Sequence, residues 1–264
     1  MAEVEQLFVE VRGCRVHLWR AGAGPALVYL HGSAGGRWLP YMDDLARHFT
    51  VIAPEAPWFG GSDDADWIRD AGDVAFLMLD FLDQEGLSGV HLMGSSIGGW
   101  FAAELAIRST RNLASLMLIG PSGLDLAAHP RPDLFRWTPD DHVTNIFHDP
   151  AISEKIVAAR RLQPPDLEKE RHSLRNRNAM ARYGFDPPMH NPELRKWLHR
   201  IDVPTLLLWG EHDCLVPLAY ADAFQGEIPD TRLHVFGDCG HLPQQEKREE
   251  FVHVVRQFTG QVAG

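Results

Sequence analysis

Gly89-Val90-His91-Leu92-Met93-Gly94-Ser95-Ser96-Ile97-Gly98 leads directly into Gly99-Trp100-Phe101-Ala102-Ala103-Glu104-Leu105-Ala106. An apolar, strand-like run therefore meets a helix-like run at a serine that has a glycine two residues before it and another two residues after it. Side chains at the flanking positions would block so sharp a turn, and glycine removes them. The spacing is that of a nucleophile elbow, in which the serine hydroxyl stands exposed above the end of a sheet. Ser95 lacks this flanking, so Ser96 is the candidate nucleophile. A Gly-x-Ser-x-Gly match is short, and its meaning depends on what the rest of the chain supplies.

Val203-Pro204-Thr205-Leu206-Leu207-Leu208-Trp209-Gly210 reads as a buried strand, and Glu211-His212-Asp213 follows its end. Arg232-Leu233-His234-Val235-Phe236 reads as another, followed by the glycine-bracketed loop Gly237-Asp238-Cys239-Gly240-His241. An acid and a histidine thus leave successive strand ends after the serine, in the order Ser, Asp, His. Through these segments, with His31-Gly32-Ser33 and Gly240-His241-Leu242-Pro243, the chain resembles the α/β-hydrolase superfamily. The resemblance spans the whole sequence except its middle. It implies a mostly parallel eight-stranded sheet flanked by helices, with a helical cap inserted after strand 6. The core is expected over 1–122 and 201–264, and the cap over 123–200.

The pattern along the chain agrees. Strands are expected near 7–12, 14–20, 26–30, 50–53, 89–93, 113–119, 203–209 and 231–236, the first two as a hairpin about Gly13. Helices are expected near 38–48, 71–85, 97–109, 216–226 and 245–259, and such alternation implies crossover connections. Val74, Leu77, Met78, Phe81 and Leu82 form the stripe of a core-packed helix. The segment between Ile119 and Val203 is too long for a loop and too apolar for disorder. Pro164-Pro165 and Pro187-Pro188 mark turns within it.

A neutral serine hydroxyl is a weak nucleophile, so His241 is expected to take its proton while Asp213 orients the imidazole. Asp125, and Glu211 two residues before Asp213, are rival acids; Asp213 fits the Trp-Gly-x-x-Asp spacing. An oxyanion hole is expected from the backbone N–H groups of Ile97, at a helix start, and of Ser33. His31 is read as holding its loop. Trp38, Trp58, Phe147, Met189 and Leu242 are expected to line a substrate pocket, with Phe135, Trp137, Ile146, Tyr183 and Phe185 as further apolar candidates.

Serine at the elbow argues against the dehalogenases and epoxide hydrolases that the chain also resembles, which place aspartate there. Ester hydrolysis through an acyl-serine is the leading expectation. The alternative is carbon–carbon cleavage of a vinylogous diketone acid, since the chain is also similar to the meta-cleavage-product hydrolases. Those relatives carry tryptophan after the histidine, where this chain has Leu242, and a cap arginine for the substrate carboxylate; Arg175, Arg177 and Arg182 are candidates. A cofactor-free dioxygenase or a ligand receptor on the same fold is a further alternative.

Composition bounds the rest. The 264 residues are 45% hydrophobic, enough for one large core plus an insertion, and carry a formal net charge of −11, which disfavours nucleic acid as a partner. Residues 123–200 hold 13 Lys and Arg against 11 Asp and Glu, so the acidity lies outside the cap. The acidic opening Met1–Gln6 does not read as a secretory signal, and no uninterrupted apolar run reaches about 18 residues. A cytoplasmic protein acting on a small molecule, without a membrane partner, is expected. Cys14, Cys214 and Cys239 have neither disulfide-framework nor metal-ligand spacing. No His-Glu-x-x-His or paired His/Asp cluster is visible, so neither metal nor cofactor is expected.

Overall fold

Arg12 and Gly13 both take positive φ, 54° and 74°, giving the two-residue hairpin turn whose twist suits its flanking strands. In the computed structural model, which describes residues 3–164 and 166–262, this turn joins β1 (Glu5–Val11) to β2 (Cys14–Ala21). Met1 and Ala2 of the acidic opening and Pro165 of the first proline pair lie outside the described residues. Next come β3 (Ala26–Leu30), β4 (Thr50–Pro54), β5 (Val90–Ser95), β6 (Leu113–Ile119), β7 (Thr205–Gly210) and β8 (Thr231–Phe236). They form one eight-stranded sheet in the order β1-β2-β4-β3-β5-β6-β7-β8. Among the described residues only the β1–β2 and β2–β4 pairings are antiparallel.

Both faces of the sheet are covered, so the central strands are apolar throughout and divide their side chains by alternation. Val28 and Leu30 of β3, Leu116 and Leu118 of β6, and Leu207 and Trp209 of β7 point into one core. Helices α2 (Ala71–Gln84), α3 (Ile97–Arg108) and α8 (Ala219–Glu227) cover that core. Leu27, Tyr29, Met117, Ile119, Leu206 and Leu208 point into the other, beneath α1 (Pro40–Leu45) and α10 (Arg248–Val262).

Between β6 and β7 the chain forms α4 (Pro139–Ile146), α5 (Pro150–Leu162), α6 (Leu167–Gly184) and α7 (Leu194–Trp197). Aspartates 149 and 166 accept hydrogen bonds from the first-turn N–H groups of α5 and α6, and Thr138 with Asp141 makes a capping box for α4. Ala179, Met180 and Tyr183 of α6 join the α2–α3 core, so the insertion is packed continuously with the sheet. The final helix is not the single one expected over 245–259. A short α9 (Pro243–Glu246) precedes α10, because Glu246 is drawn to backbone N–H groups of Gly240 and His148 and Lys247 leaves helical geometry. The expected 38–48 helix is confined to α1, since Pro40 sits at the first helical position.

Candidate active site

The carboxyl ends of β3, β5, β6, β7 and β8 bring five loops to one rim, which is where open parallel sheets place ligand sites. Ser96 directly follows β5 and is the N-cap of α3, with φ 56° and ψ −118°, a strained geometry for a residue with a side chain. Two glycines make it feasible. A Cβ on Gly94 would lie 2.3 Å from the Gly98 carbonyl oxygen, and one on Gly98 would lie 2.2 Å from that of Leu30. The serine is fixed from both sides: its N–H donates to the Ile119 carbonyl at 2.9 Å, and its carbonyl accepts from Ser122 at 3.0 Å and Trp100 at 3.1 Å.

Asp213 and His241 meet on the neighbouring loops. His241 Nδ1 donates to Asp213 Oδ2 at 2.7 Å, both side chains being buried. Asp213 Oδ1 accepts from the N–H groups of Leu215 at 2.8 Å and Val216 at 2.9 Å. A carboxylate only accepts, so the proton of this bond sits on Nδ1 and the lone pair of a neutral imidazole on Nε2. Nε2 is buried without a hydrogen-bond partner among the described residues. Gly120, next to the carbonyl that holds Ser96, abuts this pair: a Cβ there would approach Asp213 Oδ2 at 3.0 Å and His241 Nδ1 at 3.1 Å. The rival Asp125 is exposed, and the side chain of Glu211 accepts from the Asp238 N–H.

The β3 loop lies against the serine, since a Cβ on Gly32 would be 3.6 Å from Ser96 Cβ. His31 fixes this loop. Its Nε2 accepts from the Ala56 N–H at 3.1 Å, so Nδ1 carries the proton and donates to the Gly32 carbonyl at 2.8 Å. Neither the Ser33 nor the Ile97 N–H has a backbone acceptor among the described residues.

Burial lowers the pKa values of His31 and of His91, whose Nδ1 lies 2.8 Å from Ser115 Oγ. Each is disposed to stay neutral when folded and to bind a proton more readily when unfolded. Their contribution to stability is full above the ordinary histidine pKa of about 6.5 and is lost as pH falls below it. Denaturant midpoints measured from about pH 8 to pH 5 should therefore fall over the acidic half of that range. A midpoint that rises on acidification would contradict this.

A clamp that sequence patterns do not reveal comes from α6. Asn176, 3% exposed, donates through Nδ2 to the Ala34 carbonyl at 2.7 Å and accepts through Oδ1 from the Gly60 N–H at 3.0 Å. It ties the insertion to the β3 loop and to the loop after β4. Asn176→Ala leaves both backbone groups unpaired and is expected to cost about 2–4 kcal/mol, read by chemical denaturation. A change below about 0.5 kcal/mol would remove the clamp from consideration.

The residues expected to line a pocket occupy several settings. Trp38 donates to Asp43 Oδ1 at 2.9 Å and packs on the α1–α10 core. Trp58, at φ 70°, donates to the Ala65 carbonyl, carries the Arg182 guanidinium 4.1 Å from its ring centre, and lines an open surface groove with Leu174 and Arg175. Met189 is a knot between segments: its N–H donates to Gly184, and its carbonyl accepts from Gly123 and Arg131. Phe147 is buried one residue beyond Ile146, whose carbonyl accepts from the His241 N–H at 2.8 Å, and half-buried Leu242 adjoins His241 and caps α9. Tyr183 donates to the Pro57 carbonyl, whereas Phe185 is exposed.

Strand-terminal Ser, Asp and His in this order on such a sheet are the arrangement of the serine α/β hydrolases. Residues 27–254 match the profile of the Alpha/beta hydrolase family, and the chain belongs to that family. It is 29% identical over 265 residues to a 2-hydroxy-6-oxo-6-phenylhexa-2,4-dienoate hydrolase of Burkholderia cepacia, covering 92% of this chain and 91% of the relative. It is 27% identical over 267 residues to the dihydrolipoyllysine-residue acetyltransferase component of an acetoin cleaving system of Cupriavidus necator, covering 96% of this chain and 68% of the relative. Among solved structures, the 2-hydroxy-6-oxo-6-phenylhexa-2,4-dienoate hydrolase of Rhodococcus sp. strain RHA1 superposes with a TM-score of 0.79 at 24% identity, over 98% of this chain and 99% of that one. No helix among the described residues is long and apolar enough to cross a membrane.

Proposed function

We propose that the protein is a serine hydrolase in which Ser96 attacks a carbonyl carbon, with the carbon–carbon bond of a 2-hydroxy-6-oxo-dienoate acid as the leading substrate class. The observation that carries the serine chemistry is the buried 2.7 Å bond from His241 Nδ1 to Asp213 Oδ2, which leaves Nε2 as the free base. The names of relatives that align over more than nine-tenths of the chain support the substrate class.

In this reading His241 Nε2 removes the hydroxyl proton as Ser96 Oγ bonds to the keto carbon. The N–H groups of Ser33 and Ile97 receive the developing oxyanion, the latter with the α3 dipole behind it. Collapse of the adduct, formed on the 2-oxo tautomer of the substrate, breaks the bond between the attacked carbon and its neighbour. The electron pair passes through the conjugated chain to the 2-oxygen, which takes the proton from His241. Water, deprotonated by the same nitrogen, then releases the acid from the acyl-serine.

Ester hydrolysis is a second reading, favoured by the cap arginines. Arg175 donates to the carbonyls of Gly60 and Ser62 and pairs with Asp64, Arg177 donates to Phe135, and Arg182 donates to Ile68 and Asp66. Each thus has a partner on the protein, and among the described residues Arg175 alone of the three is paired with a carboxylate, that of Asp64. Arg37, exposed on the same loop as Ser33 and without a hydrogen-bonding or ion-pair partner among the described residues, is the counter-charge available to a dienoate acid.

The test runs a 2-hydroxy-6-oxo-6-phenyl dienoate beside p-nitrophenyl esters of increasing acyl length. We expect a kcat/KM at least about tenfold higher for the dienoate than for the best ester, and Arg37→Ala raising KM for the dienoate alone. Ester turnover without dienoate turnover would install the second reading. Turnover of neither would overturn both.

A further inference from the structure

His148, His212 and Asp238 come from three separate segments, yet their ligand atoms lie within 4.8 Å of one another. The sequence expectation that no His/Asp cluster exists is corrected here: the cluster is assembled by the fold, with no short spacing to announce it. His148 follows α4, His212 follows β7 one residue before Asp213, and Asp238 precedes His241 by three residues. We propose that these three side chains form a binding site for a divalent transition metal of the Zn²⁺ class, and that the bound ion clasps the cap to the two loops bearing the acid and the histidine.

Two imidazoles and one carboxylate suit Zn²⁺, Ni²⁺ or Cu²⁺, whereas Mg²⁺ and Ca²⁺ favour all-oxygen sets. The backbone already holds the ligands near their places. The His148 N–H donates to Glu246 Oε2 at 2.8 Å, the His212 N–H to the Cys239 carbonyl at 2.9 Å, and the Asp238 N–H to Glu211 Oε2 at 3.3 Å. The ordering cost of binding then falls mainly on three side chains. The two imidazoles stack at 4.1 Å with an 18° interplanar angle, so each ring must turn for its lone pair to converge on one ion. All three residues are exposed, which leaves the rings that freedom. Glu211, with a carboxylate oxygen 3.7 Å from His212 Nε2, adds negative charge beside the site.

The consequence follows from where His148 sits. Its segment already meets the histidine loop, through the Ile146 carbonyl accepting from His241 and through Glu246 binding both Gly240 and His148. A metal bond from His148 to His212 and Asp238 would fasten that contact. The site does not depend on the proposed substrate or on any catalytic step.

Tag-free, metal-stripped full-length protein is titrated with Zn²⁺ alone at about pH 7.5, where neutral imidazole is the ligand. We expect one ion per chain with a dissociation constant in the micromolar range and no comparable binding of Mg²⁺. Backbone hydrogen exchange over 146–149 should slow when Zn²⁺ is added. His148→Ala and Asp238→Asn should each weaken binding by at least about tenfold, while His253→Ala, altering an exposed histidine elsewhere, should leave it unchanged. Binding weaker than about 100 µM, or equally tight binding in His148→Ala and Asp238→Asn, would overturn the site. Tight binding without slower exchange over 146–149 would overturn the clasp.

Discussion

Ser96→Ala should lower kcat by about 10⁴-fold or more while leaving the fold intact. The substitution removes one oxygen from a residue whose backbone, at φ 56°, is held by Ile119, Ser122 and Trp100. The loss should therefore fall on chemistry, with substrate affinity little changed. Turnover and denaturant midpoint, measured on the same preparation, separate the two effects. A variant that keeps its midpoint and more than about a tenth of its turnover would remove Ser96 from the reaction. It would also revive the readings in which this fold acts as a cofactor-free dioxygenase or a ligand receptor.

Asp213→Asn should cost about 10⁴-fold in kcat, by a different route. Oδ1 of the native side chain is committed to the N–H groups of Leu215 and Val216, and these will hold the asparagine oxygen in the same place. The new NH₂ then faces His241 Nδ1. Two donors cannot share a hydrogen bond, so the imidazole shifts its proton to Nε2 and loses the lone pair that must receive the serine proton. Because the change is one of tautomer, activity should recover partly at high pH, where hydroxide replaces the missing base. A near-native kcat at neutral pH would show that the 2.7 Å Asp213–His241 bond does not set the tautomer used in turnover.

The parts legible in the sequence are those imposed by local sterics. The elbow is one, because no side chain fits at Gly94 or Gly98 so close to neighbouring carbonyl oxygens. The hairpin at Arg12-Gly13 is another, and so are the apolar strands that run uninterrupted because helices cover both faces of the sheet. What local pattern cannot carry is the choice among chemically equal groups. Asp125 and Asp213 both follow strand ends, and only the path of the β7 loop sets Asp213 beneath His241 while Asp125 faces solvent. Of the cap arginines named as candidates for a substrate carboxylate, Arg175 and Arg182 are bound to carbonyls of core loops more than 100 residues away, and Arg177 to the Phe135 carbonyl within the insertion. Asn176 and the His148, His212 and Asp238 group escape notice for the same reason, since their neighbours are set by how the insertion docks.

Activation of the Ser96 hydroxyl by His241 is tested, without knowledge of the natural substrate, by an active-site-directed fluorophosphonate. Such a reagent phosphonylates a serine whose proton has a base to accept it and whose oxyanion has donors to receive it. Mass spectrometry of the digested protein should find the adduct on Ser96, near one per chain in the native protein and absent in His241→Ala. A native protein left unlabelled after prolonged exposure, or labelled on another residue, would show that His241 does not activate Ser96.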